Sequence, residues 1–187
     1  MSVLVTDRNV VLDIADCMIR KDGLLGLDLT QLASHTGTDR QNISKMFPAE
    51  NGLQQAVLQR YIDRFVQILG DPAKQRFYFR RALDTYIAAF QAGMDEGGEL
   101  FLTAVLGDKD DELPEDLKQL AATFASRNRV WLADLLELSG DWSVEEALVK
   151  SDFVLAALEV AVLVGNTSQD PEIFEDLSDN IHNICMQ

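Results

Sequence analysis

The chain has 187 residues, 47% hydrophobic and 25% charged, with a formal net charge of −15 at pH 7. That length buries a sizeable core in one domain or in a small domain fused to a larger one, and only four prolines with no low-complexity tract argue against disorder. The acid is unevenly placed, with seven Lys/Arg against eight Asp/Glu in residues 1–68 and nine against twenty-three in residues 69–187. Charges a domain away are screened over about 8 Å at physiological salt, so the near-neutral first third stays open to nucleic acid although the whole molecule repels it.

Cys17 and Cys185 lie near opposite ends with no paired spacing, which fits a reducing compartment and not a disulfide framework. The opening MSVLVTDRN has acid and base within eight residues, and the longest apolar run, Phe153 to Gly165, is interrupted by Glu159 and too short to span a bilayer. The expectation is a cytoplasmic protein with no membrane part.

A first helix opens at Thr6 or Asp7 and ends near Gly23. Val11, Ile14, Ala15, Met18 and Ile19 recur at helical spacing with Asp13, Asp16 and Arg20 opposite, and Cys17 is expected to be an inert core residue. The next stretch, DLTQLASHTGTDRQNISKMFPAENGL from Asp28 to Leu53, reads as two short helices joined by a tight turn. Asp28 caps the first, with Gln31 at capping-box spacing, and Gly37 ends it; Asp39 caps the second, which Pro48 stops. Helices this short must lean on each other through Leu29, Leu32, Ala33, Ile43 and Phe47, which leaves Arg40, Gln41, Asn42, Ser44 and Lys45 facing outward. Such a face has the chemistry to read base edges and phosphates in a major groove. It is equally what a solvated helix shows, and the residues alone leave both readings open.

A fourth helix runs from about Asn51 to Leu69, burying Leu53, Val57, Tyr61, Phe65 and Ile68, and Gly70 to Pro72 close it. The spacing then predicts a fifth over 72–94, a short sixth over 99–106, a seventh with Pro114 in its first turn running to Gly140, and an eighth opened by the Ser143/Glu146 capping box. The eighth is apolar nearly all round after Phe153, apart from Glu159, which needs a polar neighbour, a pocket or a partner. A ninth is capped by Asp170, with Phe174, Leu177, Ile181 and Ile184 forming a seam at intervals of three, four and three. Beside the apolar eighth helix that seam suggests a homodimer face, with burial inside the monomer as the alternative.

The order and spacing of Leu29, Leu32, Ala33, Thr36, Gly37, Thr38, Asp39, Asn42, Ile43, Ser44, Met46, Phe47, Glu50 and Leu53 resemble the tetracycline-repressor (TetR) family of bacterial transcription regulators over residues 6–66. The resemblance implies an all-α chain of about nine helices, with a helix-turn-helix DNA-binding domain over 6–66 and a helical ligand-binding and dimerisation domain over 67–187. It implies DNA contact at Thr30, Arg40, Gln41, Asn42 and Lys45. Ser44, Met46 and Glu50 stand where the family has an aromatic residue, a histidine and a lysine, so three favourable contacts are missing. The family dimerises through its last two helices, here the seam Phe174, Leu177, Ile181 and Ile184.

The expected partners are a double-stranded operator, a second copy of the chain and a small apolar inducer. Aromatics beyond residue 60 are dense enough to line a pocket, for which Phe65, Tyr86, Phe90, Phe101, Phe124 and Trp131 are the candidates; a filled core is the equal alternative. His35 and His182 sit in no metal-ligand spacing, and no phosphate loop, nucleophile elbow or paired-carboxylate motif occurs, so neither a cofactor nor an enzymatic activity is expected. The leading expectation is a ligand-responsive repressor. The alternative is a small-molecule-binding or protein-interaction module of the same fold with weakened DNA binding.

Overall fold

The computed structural model describes residues 7–95, 113–168 and 172–186. These form α1 (Arg8–Asp22), α2 (Leu29–Thr36), α3 (Arg40–Met46), α4 (Gly52–Leu69), a 3-10 helix (Pro72–Tyr78), α5 (Phe79–Asp95), α6 (Glu115–Ser139), α7 (Val144–Ser168) and α8 (Glu172–Cys185). The chain is all-α. The count of nine α-helices needs correction: eight stand among the described residues, and the short helix expected over 99–106 lies outside them. The fifth helix also begins differently, because residues 72–78 wind as 3-10 before α5 starts. Pro72 has no N–H, Asp71 takes the N–H of Ala73 (3.0 Å), and the segment buries nothing that would hold a wider turn.

Local chemistry sets the first three helices. Asp7, Asp28 and Asp39 each accept a backbone N–H from the first turn that follows. Asp28 bonds Thr30 (2.6 Å) and Gln31 (3.4 Å), and among the described residues no return bond from the Gln31 side chain accompanies them. Gly37 turns the chain between α2 and α3 at φ 68°, a left-handed conformation that a β-carbon disfavours. Gly26 answers a different demand: a β-carbon there would stand 2.1 Å from the Asp22 carbonyl oxygen. Leu32, Ile43 and Phe47 then join Val11, Ala15, Ile19, Leu53 and Val57 in the buried core, where α1 packs on α2 and α4 and α2 packs on α3.

α4 continues from that unit into the body. Its buried stripe is Leu53, Val57, Leu58, Ile62, Phe65 and Leu69. Ile68, expected inside, is 59% exposed, because one residue is about 100° of helix rotation and Leu69 takes the inward position. Cys17 is likewise exposed and not a core residue, since α1 turns Ala15 and Ile19 inward instead. In the body, α6 lies along α7, α8 lies along α7, and α5 packs on α4 and α7. Ser143 and Glu146 form the expected capping box: the Ser143 N–H donates to Glu146 Oε2 (2.9 Å) and the Glu146 N–H to Ser143 Oγ (3.4 Å). Asp170, the expected cap of the last helix, is outside the described residues.

Candidate nucleic-acid interface and ligand cleft

α3 turns Ile43 inward, 1% exposed, and that rotation sends Arg40, Gln41, Ser44 and Lys45 to solvent as one face. Thr30, in the first turn of α2, is exposed beside it and accepts from Arg40 Nη1 at 3.5 Å, so the α2–α3 turn brings those two candidates together. Asn42 is half-buried and partly occupied, with Nδ2 donating to Asp39 Oδ2 (3.2 Å). The backbone N–H of Thr30, ahead of smaller contributions from Gln31 and the Arg40 charge, holds the Asp28 carboxyl below its usual range. Sequence spacing missed Arg8. Its guanidinium is exposed and lies 4.7 Å from the centroid of Phe47, just after α3, which adds a cation beside this face.

The six aromatic pocket candidates divide. Phe65, Tyr86, Phe90 and Phe124 are buried against one another, with Phe65 at 5.0 Å from Phe124 and 5.5 Å from Phe90, both edge-on. Tyr86 stacks on Trp131 at 5.4 Å and 8°. Together they pack against one another in the core; Phe101 lies outside the described residues. Two of them, Phe65 and Trp131, do border a cleft of about 370 Å³ between the carboxyl-terminal end of α4 and the middle of α6, shared with Val66, Leu69, Pro72, Asn128 and Val130. A smaller cleft of about 140 Å³ between α1, α4 and α5 is rimmed by Arg20, Arg60 and Arg64. Arg20 pairs with Asp16 and Arg60 with Asp13.

Glu159 is half-buried on α7. Desolvation raises its carboxyl above the usual range, and no hydrogen bond or ion pair holds it among the described residues. Burial first, and then Glu159, push the Tyr86 phenol far above its ordinary range, and the Tyr86 hydroxyl also lacks a hydrogen-bond partner among the described residues. No group of three or more His, Cys, Asp or Glu among the described residues could hold a metal. His182 bonds Asp84 (2.6 Å) and the Ser178 carbonyl (2.8 Å), tying α8 to α5.

By sequence, no family model and no curated protein matches the chain. By structure, it is similar to a TetR transcriptional regulator from Legionella pneumophila, with TM-score 0.86, 19% identity, and 97% of this chain and 98% of that one covered. Escherichia coli NemR in its reduced form superposes with TM-score 0.78, 19% identity and coverage of 95% and 96%. A TetR-family regulator from Agrobacterium tumefaciens gives 0.81, 16%, 92% and 94%. The fold is that of TetR.

Within this TetR fold the last two helices present a different apolar face from the seam read in the sequence. Phe174 and Ile181 are 3% and 1% exposed inside the chain's own core, and Leu177 and Ile184 are half-buried at its margin. The exposed apolar residues are on α7 instead: Val149, Phe153, Val160 and Val164, spaced to share one side of the helix. α8 packs along α7, burying Phe174 and Ile181 and leaving Leu177 and Ile184 at the edge. No described helix is long and apolar enough to cross a membrane.

Proposed function

We propose that the protein is a DNA-binding transcription regulator of the cytoplasm, a repressor that binds a palindromic operator as a homodimer and is released by a small apolar ligand. The observation that carries this reading is the exposed face of α3, Arg40, Gln41, Ser44 and Lys45, held on a TetR fold with Thr30 and Arg8 beside it. Arg40, Gln41 and Lys45 supply base discrimination, while Thr30 and Asn42 position the backbone. Val149, Phe153, Val160 and Val164, with the half-exposed Leu177 and Ile184, form the dimer face, and two α3 helices related by a twofold axis read two half-sites. α4 links DNA face and body, since Leu53 and Val57 pack with the first three helices while Phe65 and Leu69 pack in the body. A ligand that binds the two positions of α4 unequally shifts the DNA-competent population. Selection from a random DNA pool tests the whole reading: enrichment of a palindrome supports it, and recovery of no sequence at moderate salt overturns it.

A second reading is favoured by Ser44, Met46 and Glu50 together with the net charge of −15: a ligand-binding or interaction module in which DNA binding has weakened. Retention of genomic fragments at low salt but not at moderate salt distinguishes it from the first.

A further inference from the structure

Residues 72–83 hold four Lys/Arg and no Asp/Glu, whereas the other residues from 69 to 187 hold five against twenty-three. This cationic stretch is the 3-10 helix and the first turn of α5, just past the carboxyl-terminal end of α4. It is held from within: Gln75 Nε2 donates to the Leu69 carbonyl, the 3-10 helix packs on α6, and Ala82 and Leu83 are fully buried. Lys74, Arg76, Phe77, Tyr78, Arg80 and Arg81 are all exposed, Phe77 to 90% and Tyr78 to 64%. Lys74 stands 3.9 Å from Asp71. Among the described residues no ion pair or side-chain hydrogen bond engages the guanidinium groups of Arg76, Arg80 and Arg81. A ring left in water gives the fold none of the free energy of burial, so packing of the monomer does not account for Phe77.

The chemistry narrows what covers this surface. Arginine presents a planar fork of donors that matches a carboxylate in two bonds, and arginine with aromatic rings is the composition of protein–protein contact centres. A nucleic-acid strand or an anionic bilayer also attracts arginine, but each spreads its charge over a length or an area that runs past this stretch into the acid-rich remainder. Screening over about 8 Å leaves a short partner seated here under the influence of the four cations and little else.

We infer that the surface made by Arg76, Phe77, Tyr78, Arg80 and Arg81 docks a short acidic segment of another protein, one whose carboxylates flank a large apolar side chain. The carboxylates pair with the three guanidinium groups, and the apolar side chain covers Phe77 and Tyr78. Docking here needs no contact with DNA, so it stands or falls apart from the regulator reading.

A random library of peptides of about twelve residues, displayed on phage and selected on the full chain, tests it. The expected consensus has acidic positions on both sides of a large apolar residue. Selected peptides, synthesised and followed by fluorescence anisotropy, lose at least about tenfold in affinity against Arg80→Glu and against Phe77→Ser. Both positions are exposed, so both variants keep the parent's melting temperature. No enrichment, a consensus lacking either the acid or the apolar residue, or unchanged affinity in either variant overturns the assignment. So does binding of single-stranded oligothymidylate or of phosphatidylserine vesicles that is tighter than the peptides' and lost in Arg80→Glu, which would give the surface to nucleic acid or membrane. A change in the sedimentation of either variant would give it to a second copy of the chain and overturn the proposal as well.

Discussion

Single residues carry the sharpest consequences. Arg40 reaches Thr30 from the exposed side of α3 and has no buried role, so Arg40→Ala should leave stability unchanged. Its expected cost is about 1–3 kcal/mol in operator affinity, with preference relaxed at defined base positions, whereas Asn42→Ala weakens all sequences alike. Fluorescence anisotropy on a set of single-base operator variants separates the two patterns. In the core, the Tyr86 hydroxyl is buried without a partner among the described residues, and an unmet donor costs about 1–3 kcal/mol. Tyr86→Phe keeps the stack on Trp131 and should therefore fold with equal or up to about 1 kcal/mol greater stability in urea titration. A loss of more than that would mean the hydroxyl has a partner.

Glu159 gives the pH dependence. Its folded pKa is raised, so above its ordinary 4.5 the native state holds a proton that the unfolded chain releases, and stability falls as pH rises through that window. Glu159→Gln should match the parent in melting temperature below about pH 4.5 and exceed it increasingly toward pH 7. Asp28, Asp116 and Glu146 act with the opposite sign, since their lowered pKa values supply stability above the ordinary carboxylate range that is lost as pH falls.

At the scale of elements, α4 is tied to its neighbours by polar bonds at its beginning and by apolar packing at its end. Asn51 Nδ2 donates to both carboxylate oxygens of Asp116 at 3.2 Å, and Gln55 Nε2 donates to Asp116 Oδ2, which pins the first turn of α4 to the first turn of α6. Asp13 and Arg60 pin α1 to α4 at 2.7 Å. The Asn51 bond first, with Gln55 and the Leu117 N–H behind it, keeps the Asp116 carboxyl below its usual range, so it is ionised whenever the protein is folded near neutrality. Asp116→Ala should speed amide hydrogen exchange in the first turn of α4 and lower the melting temperature, while leaving exchange in α8 unaltered. Equal exchange in α4 would show that apolar packing alone holds its position.

For the whole molecule, the question is which surface a second copy covers. Phe153 is 54% exposed at the centre of the α7 stripe, so Phe153→Glu puts a charge into the proposed interface without disturbing the monomer's core. The expected outcome is a shift from dimer to monomer at micromolar concentration in sedimentation, with at least about 2 kcal/mol, roughly thirtyfold, lost in association and little change in unfolding of the monomer. Phe174→Glu would behave differently, unfolding the chain because that ring is 3% exposed inside it. A parent protein that sediments as a monomer removes both the dimer and the paired half-sites.

What the sequence determined by itself is everything set within a few residues of chain. The caps at Asp28 and Asp39, the turn at Gly37, the Ser143/Glu146 box and the stop at Gly140 follow from side chains meeting backbone groups two to four positions away, and with them come the all-α class and the outward face of α3. Periodicity added that each helix has an apolar side. It could not say what covers that side, because burial is decided by residues distant in the chain. Only the tertiary structure turned Phe174 and Ile181 into α8's own core contacts and left Phe153 and Val160 open. Only packing closed the aromatic cluster around Phe65 and left a cleft between α4 and α6. The physical reason is the same in each case: hydrogen bonds of caps and turns are local and readable, while dense packing is a property of which surfaces meet.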